Sequence, residues 1–283
     1  MKRIRRGWEL TKKSWAVLRE HRQLLRFPLY GGVATIPLAV ITLGPGLYLI
    51  EEGEIAPGAP LTILGLYVLA FVGIFFSVGL AATADKIFRG EPEASVSDGL
   101  AVARGHLRQI AGWAFFSTVV GVIISLIEDQ GGPLGAIVGR ILDIGWALVT
   151  FLAVPVIALE GTGPLETLKR SSTLFTSRWG QQVTGNIVIG GAVLLFGLLP
   201  SALLIAAGVL LWSTTGFGGA VLVIIGVVGA AVALLIQKAL SGIFGVALYR
   251  YAAEGAALGG FTEQDLESAV KIKGGGIPAP TTV

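Results

Sequence analysis

Cysteine is absent from this chain of 283 residues, and histidine occurs only twice. Without cysteine the chain has no disulfides and no thiolate ligands for a metal. The two histidines, His21 and His106, are far apart in the sequence, and no His-Glu-x-x-His motif is present. A metal site would need distant carboxylates to converge, so the sequence predicts neither a metal site nor a cofactor site.

Charged residues are also scarce, at 14% of the chain, whereas hydrophobic residues make up 53% and the mean hydropathy is +0.78. In soluble globular proteins about 25% of residues carry a charge. This composition excludes an ordinary soluble domain, because so few charged side chains cannot cover the surface of a protein of this size in water. It indicates instead a protein that is embedded in lipid.

Six long apolar runs are present, and none of them shows the alternation that is typical of strands. A membrane core of roughly 30 Å needs about 20 apolar helical residues, and in lipid a helix satisfies its own backbone. The long basic N-terminus has no cleavage site, so we expect the first run to be retained. The sequence therefore predicts an all-α polytopic membrane protein with six transmembrane helices, near residues 27–50, 60–84, 110–127, 136–159, 183–212 and 219–236.

Lysine and arginine are sorted between alternate loops. Nine precede the first run, four lie in 85–109, three in 161–182 and four from Lys238 onward. The other loops read EEGEIAPGA, EDQGGPLG and STTGFG, with five acids and no base. Basic loops stay on the cytoplasmic side. We therefore expect a multi-pass protein of the cell (plasma) membrane with both termini in the cytoplasm.

The basic residues also indicate the class of partner. The sequence pI is about 9.3, but the positive charge is spread along one membrane face and is not gathered in one element. Each Lys or Arg near an anionic membrane surface contributes about 1 kcal/mol of attraction. The sequence thus predicts anionic lipid headgroups on the cytoplasmic side as partners, and no nucleic acid; protein partners are left open.

Short amphipathic segments precede the first, third and fifth runs. In PLETLKRSSTLFTSRWGQQ, at 164–182, bulky apolar residues recur at spacings of three and four, and the segments that begin at Ile4 and Ser95 repeat this rhythm. Such segments are typical of helices that lie in the membrane interface. The chain therefore divides into three parallel units, each an interfacial helix plus a helical hairpin, at 1–84, 91–160 and 164–251.

These units are expected to form a single membrane domain over 1–254, followed by a cytoplasmic tail at 255–283 that is partly disordered because of its Gly and Pro content. Pro37, Pro155 and Pro200 lie inside runs and are expected to kink their helices. Small residues at helical spacing, such as Gly135 with Gly139 and Gly226 with Gly229, are expected to allow close helix contact.

Several stretches resemble a known group of proteins. They are the run FFSVGLAATADKIFRG, the SW and LLRFPLY pair near the first apolar run, and ALYRYAAEG followed by GF after the sixth. These stretches resemble an uncharacterised group of prokaryotic six-span membrane proteins with a domain of unknown function. More distantly, the layout of helix plus hairpin resembles the membrane domain of some glycerophosphodiester phosphodiesterases. The resemblance covers most of the chain and implies the six-span fold, and it supplies no catalytic residues.

The segment DGLAVAR, at 98–104, superficially resembles the motif of phosphotransferases that join an alcohol to a nucleotide-linked lipid. That motif needs two residues between the Gly and the Ala-Arg pair, whereas three intervene here, and it needs further aspartates that this chain lacks. The simpler interpretation is a capped amphipathic helix that begins near Ser95, with Asp98 in its first turn.

Two groups of charged residues are candidates for a functional site. Arg140 and Asp143 are the opposite charges inside a predicted span, three residues apart on one helical face. Intramembrane charges are often functional, yet an arginine one turn from the outer surface can also extend to the interface as an anchor. A contact with a substrate or anion and a structural role both stay open.

The second group lies at the cytoplasmic ends of the second, fourth and sixth runs, where Asp85, Glu160 and Glu254 occupy comparable places in the three units. We expect them to gather around a cytoplasmic vestibule together with Arg104, Arg170 and Arg250, or to form salt bridges that join loops to helices. Both groups of charges have chemistry for binding, and neither contains a nucleophile with its base.

Three classes of function follow from these residues. A non-enzymatic membrane protein that organises lipids or partner proteins agrees best with the basic interfacial helices and the scarcity of buried charges. The alternative is a transporter or channel for a small or lipid-like molecule. An enzyme that acts on lipid phosphate is least favoured, because the sequence offers no catalytic residues for it. We therefore expect the protein not to be an enzyme.

Overall fold

The computed structural model describes residues 2–91, 93–179 and 197–268, with side chains from Thr11 onward except at 133, 178–179, 213–215, 265 and 267–268. Every regular element in these ranges is a helix, which confirms the predicted all-α class. Besides a short 3-10 helix at Arg22–Leu25, the helices are α1 (Lys2–Glu20), α2 (Arg26–Glu51), α3 (Ile55–Phe88), α4 (Val96–Gly105), α5 (Leu107–Gln130), α6 (Gly132–Val149), α7 (Ala153–Glu160), α8 (Pro164–Trp179), α9 (Leu199–Thr215), α10 (Phe217–Glu254) and α11 (Glu263–Ser268).

Five of these helical segments are long and apolar enough to cross a bilayer. Within the described residues they are Arg22–Glu51, Ile55–Phe88, Leu107–Gln130, Leu134–Glu160 and Phe217–Glu254. The predicted span at 183–212 begins outside the described residues. Its described part belongs to α9, which has 17 residues, fewer than the roughly 20 that a full crossing needs.

The predicted fourth span is interrupted in the structure, since α6 ends at Val149 and α7 begins at Ala153. Pro155 explains the break, because proline lacks the N–H that would bond to the carbonyl four residues earlier and its ring collides with that carbonyl. At the break, the N–H of Leu152 donates to the hydroxyl of Ser171 on α8, at 3.1 Å. The structure therefore shows a break with its own hydrogen bond where the sequence predicted a kink.

The predicted interfacial helix that begins at Ser95 is also divided, because α4 ends at Gly105 and α5 starts at Leu107. Ser95 and Asp98 form a reciprocal capping box: the N–H of Ser95 donates to Asp98 Oδ2 at 2.8 Å, and the N–H of Asp98 donates to Ser95 Oγ at 3.3 Å. These hydrogen bonds stabilise the carboxylate and hold the pKa of Asp98 below its ordinary value. Asp98 is thus part of a helix cap.

The buried side chains collect at one end of the long helices. They come chiefly from residues 78–85 of α3, 152–158 around the start of α7 and 239–252 of α10. Leu24 and Phe27 close this core beside α3. The opposite halves of the helices expose large apolar side chains, up to 84% for Phe217. Such a surface is unfavourable in water and favourable in lipid, which agrees with a membrane protein.

Glycines let the apolar halves of neighbouring helices pack closely. A Cβ atom on Gly208 of α9 would lie 2.7 Å from the carbonyl oxygen of Gly219 on α10, and one on Gly226 would lie 2.6 Å from the Ile205 side chain. On the α5–α6 hairpin, a Cβ on Gly139 would lie 2.8 Å from Glu128. The small residues predicted to allow close contact at Gly139 and Gly226 therefore do lie against a partner helix.

We expect Gly208→Ala to destabilise the protein by about 1–3 kcal/mol, because its methyl group would meet backbone that cannot move aside. The matched control is Gly121→Ala, at a helix position with nothing within 4 Å of the added Cβ. Both substitutions raise helix propensity equally, so the difference between the two free energies of unfolding measures the effect of the close contact alone. Denaturant unfolding in mild detergent measures both. Equal stabilities of the two variants would contradict the close approach of α9 and α10.

Candidate functional site

The predicted carboxylates at the inner ends of the spans lie within or beside the buried core. Asp85 on α3 is only 5% exposed, and Arg250 on α10 is only 3% exposed. Charged side chains are almost never so deeply buried unless they are paired. Glu254 ends α10 and Glu160 ends α7, and both are more accessible than Asp85. The question is therefore which partners hold these charges.

Arg250 binds two carboxylates at once. Its Nε donates to Asp85 Oδ1 at 2.5 Å and its Nη2 donates to Asp85 Oδ2 at 2.7 Å, so the two planar groups meet edge to edge. Its Nη1 donates to Glu254 one helical turn along α10. Arg89, one turn after Asp85 on α3, adds a second contact to Asp85 Oδ2 at 3.1 Å. We call these four residues the Arg250 cluster.

A second group of polar residues lies beside the first. Arg170 on α8 donates from Nε to both oxygens of Glu160, at 2.9 and 3.1 Å. The hydroxyl of Tyr249 donates to Glu160 Oε1 at 2.7 Å. The hydrogen bond to Glu160 holds the pKa of Arg170 above its ordinary value. We call Glu160, Arg170 and Tyr249 the Glu160 cluster.

The two clusters are joined through the backbone of α10, because Tyr249 and Arg250 are consecutive residues. One turn of α10 thereby holds α3 through Asp85 and holds α7 and α8 through Glu160. Each cluster contains as many arginines as carboxylates, so neither carries a net charge. Bidentate arginine–carboxylate pairs fix geometry as well as charge. The arrangement is suited to fixing the positions of helices.

The clusters have little capacity for catalysis or metal binding. Their carboxylates already accept hydrogen bonds from arginine or tyrosine, so none is free to act as a base. Among the described residues, no group of three or more His, Asp or Glu side chains could hold a metal ion. Neither cluster contains a serine or threonine nucleophile with an adjacent base, which an acyl- or phosphoryl-transfer site would need.

The structure brings five of the six predicted vestibule residues into the two clusters. Arg104 is exposed on α4 and contacts neither cluster within the part of the chain that is described. The other predicted pair, Arg140 and Asp143, is exposed on α6, and in the described structure no ion pair or hydrogen bond joins the two side chains. These three residues therefore lie apart from the clustered charges.

Two members of the clusters were missed in the sequence. Arg89 follows Asp85 by four residues, and this helical spacing alone could have indicated the pair. Tyr249 gave a weaker signal, since its only distinguishing feature is a polar tip beside Arg250 in an apolar run. Its contact with Glu160 joins residues 89 positions apart and depends on how the helices pack.

We expect Arg250→Met to destabilise the protein by about 3–5 kcal/mol, because it leaves Asp85 charged and buried without its main partner. The double variant Asp85→Leu with Arg250→Met should recover much of this loss. Arg89→Met, which removes a side chain that is 56% exposed, should cost at most about 1 kcal/mol. Denaturant unfolding in detergent compares the three. A loss for Arg250→Met no larger than for Arg89→Met would contradict the buried cluster.

One protein family matches this chain, and the matched residues include both clusters. No curated protein and no solved structure matches the chain. One family profile does match, over residues 59–260, and its description is a family of unknown function, DUF6159. The matched region runs from the start of α3 to just beyond α10 and contains both clusters. Because it covers well over half of the chain, this protein belongs to the DUF6159 family of unknown function.

Proposed function

We propose that the protein is a non-enzymatic integral protein of the cell membrane that binds and organises anionic lipids at its cytoplasmic face. The observation that carries this proposal is a difference between two sets of cations. Arg89, Arg170 and Arg250 are neutralised by carboxylates, whereas a second set of cations, on or beside α1, α4 and α8, has no such partner within the described residues. Unpaired surface cations at a membrane interface attract anionic headgroups.

The unpaired cations lie on or beside the three helices α1, α4 and α8. They share two properties: their side chains are exposed, and within the described residues none has an acidic partner at ion-pair distance. They are Arg19, Arg22 and Arg26 around the end of α1, Arg104 and Arg108 around the end of α4, and Lys169 on α8. At about 1 kcal/mol each near an anionic surface, they can hold several headgroups against this face.

The proposal includes an arrangement in the membrane. The chain crosses the plasma membrane six times in three parallel units, as one domain over 1–254 with a tail over 255–283, and both termini lie in the cytoplasm. Support comes from the one-sided distribution of Lys and Arg, from the five apolar helices, and from α9, which forms the described part of the predicted fifth span. In this arrangement the two clusters lie towards the cytoplasm.

Transport, the alternative function, has less support. Its proposed pathway would contain polar side chains inside the membrane, and Arg140 with Asp143 is the pair that the sequence suggests for it. Both side chains are exposed on α6, and no bond between the two is present in the described structure. Lipid organisation needs no such pathway, because it uses the interfacial surface alone.

Single introduced cysteines can test the arrangement, because the chain has none of its own. Glu52, in the turn between α2 and α3, and Glu93, between α3 and α4, are both exposed acids. In intact cells we expect Glu52→Cys to react with a membrane-impermeant maleimide and Glu93→Cys to react only after permeabilisation. Reaction of Glu93→Cys from outside would contradict the orientation.

The surface cations can be tested by titrating the purified protein with phosphatidylglycerol and counting bound lipid by native mass spectrometry. We expect Arg104→Gln or Lys169→Gln to weaken lipid retention about fivefold each, which corresponds to about 1 kcal/mol per cation. Arg89→Gln is the matched control, since it removes a cation that is paired with Asp85. If all three variants lose lipid equally, the unpaired cations are not the binding groups.

A further inference from the structure

A cavity of about 280 Å³ lies between α2, α3, α7 and α10, next to the buried core. Its walls are mostly apolar and include Pro28, Phe76, Leu80 and Pro155. Gly31 of α2, Gly73 of α3 and Gly242 of α10 also line it. The volume is roughly nine times the share of one water in the liquid, so the cavity can hold part of an organic molecule.

One charged side chain, Lys238 of α10, lies among the described residues that line this cavity. Its Nζ reaches across to α3, where a Cβ atom added to Gly73 would lie 3.6 Å away. Within the described structure, Lys238 has no carboxylate at ion-pair distance. Lys238 is exposed, so an anion that enters the cavity can reach its ammonium group.

Ser241 adds a second donor to the same wall. It follows Lys238 by three residues on α10, so the two side chains lie on one face of the helix. Ser77 also lines the cavity, but its hydroxyl already donates to the carbonyl of Gly73 at 2.7 Å. An anion in the cavity would therefore meet the ammonium group of Lys238 and the hydroxyl of Ser241.

The depth of Lys238 indicates which anion can reach it. From Phe217 at its start, α10 exposes apolar side chains as far as Leu234, and its buried stretch begins at Ala239. The rise to Lys238 is about 30 Å, close to the thickness of the hydrocarbon core. In the orientation proposed above, Lys238 lies level with the headgroups of the inner leaflet.

We propose that this cavity is a binding site for one anionic phospholipid, whose phosphate is bound by Lys238 and Ser241. The cavity is slightly smaller than the 300–1,000 Å³ typical of pockets for drug-sized ligands. It takes the headgroup and the first acyl carbons, and the rest of each chain lies in the bilayer along the apolar surface of α10. The site uses the membrane orientation proposed above but none of the surface cations.

The test uses the full-length protein in mild detergent, titrated with phosphatidylglycerol and followed by native mass spectrometry. Lys238→Met removes the charge and keeps an apolar stem, and we expect it to weaken the tightest lipid-binding step about tenfold or more, as loss of a charged hydrogen bond does. Lys238→Arg should retain that step. Equal affinity of Lys238→Met and the unaltered protein would overturn the proposal.

Filling the cavity gives an independent arm of the test. Gly73→Leu places a side chain against Lys238 and should also weaken the tightest step about tenfold, whereas Gly121→Leu, where nothing lies within 4 Å, should leave it unchanged. Thermal unfolding of each variant shows whether it is folded. A folded Gly73→Leu protein with unaltered lipid affinity would contradict the assigned site.

Chemical protection of Lys238 can show whether the bound anion is an anionic phospholipid or another phosphate compound. Phosphatidylglycerol should protect Lys238 from an amine-reactive ester more than it protects Lys86, which is partly exposed. Inorganic phosphate or phosphatidylcholine that protects Lys238 equally well would overturn an anionic phospholipid as the ligand. Arg104→Gln with Lys169→Gln should leave this protection intact. Lipid binding in the cavity and lipid binding by the surface cations are therefore tested separately, and either proposal can be contradicted without the other.

Discussion

The buried contact between Arg250 and Asp85 is the constraint on which the half of the protein that contains the buried core depends. It joins residues that are 165 positions apart, and both are almost fully buried. Neither charge can leave the other without a large desolvation cost, so α3 and α10 are held in one register. The hydrogen bond from Tyr249 to Glu160 then fixes α7 relative to α10, and the contact between Arg170 and Glu160 fixes α8 relative to α7. The order of the helices at this end thus follows from two neutral clusters.

The opposite half, which exposes apolar side chains, is held together in a different way. Its helices expose valine, leucine and isoleucine, and its hairpins approach closely where glycine replaces a side chain, as at Gly208 and Gly219. Lipid is as apolar as these side chains, so burial contributes little there and close packing contributes more. The protein therefore combines a densely packed, charge-paired half with an apolar half whose surface is suited to a bilayer as its solvent.

The sequence predicted the helical class and the grouping of Asp85, Glu160 and Glu254 at one end, because charge scarcity and loop charge are strong signals. It could not assign each carboxylate to its arginine, since this depends on helix packing. It placed the end of the sixth span at 236, and the helix α10 continues beyond that position to Glu254. Hydrophobicity cannot distinguish the part of a helix that faces lipid from the part buried in protein. Lys238 was therefore counted with a loop although it lies inside the helix.

The break between α6 and α7 has a mechanical consequence. Thr150 to Leu152 are not part of a continuous helix, and the N–H of Leu152 is bound by the hydroxyl of Ser171. A thinner or thicker bilayer makes transmembrane helices tilt to match it. A break in a helix allows its two parts to tilt by different amounts, and the far end of α7 is fixed by the contacts of Glu160. We therefore expect a change in bilayer thickness to alter the tilt of α6 more than that of α7.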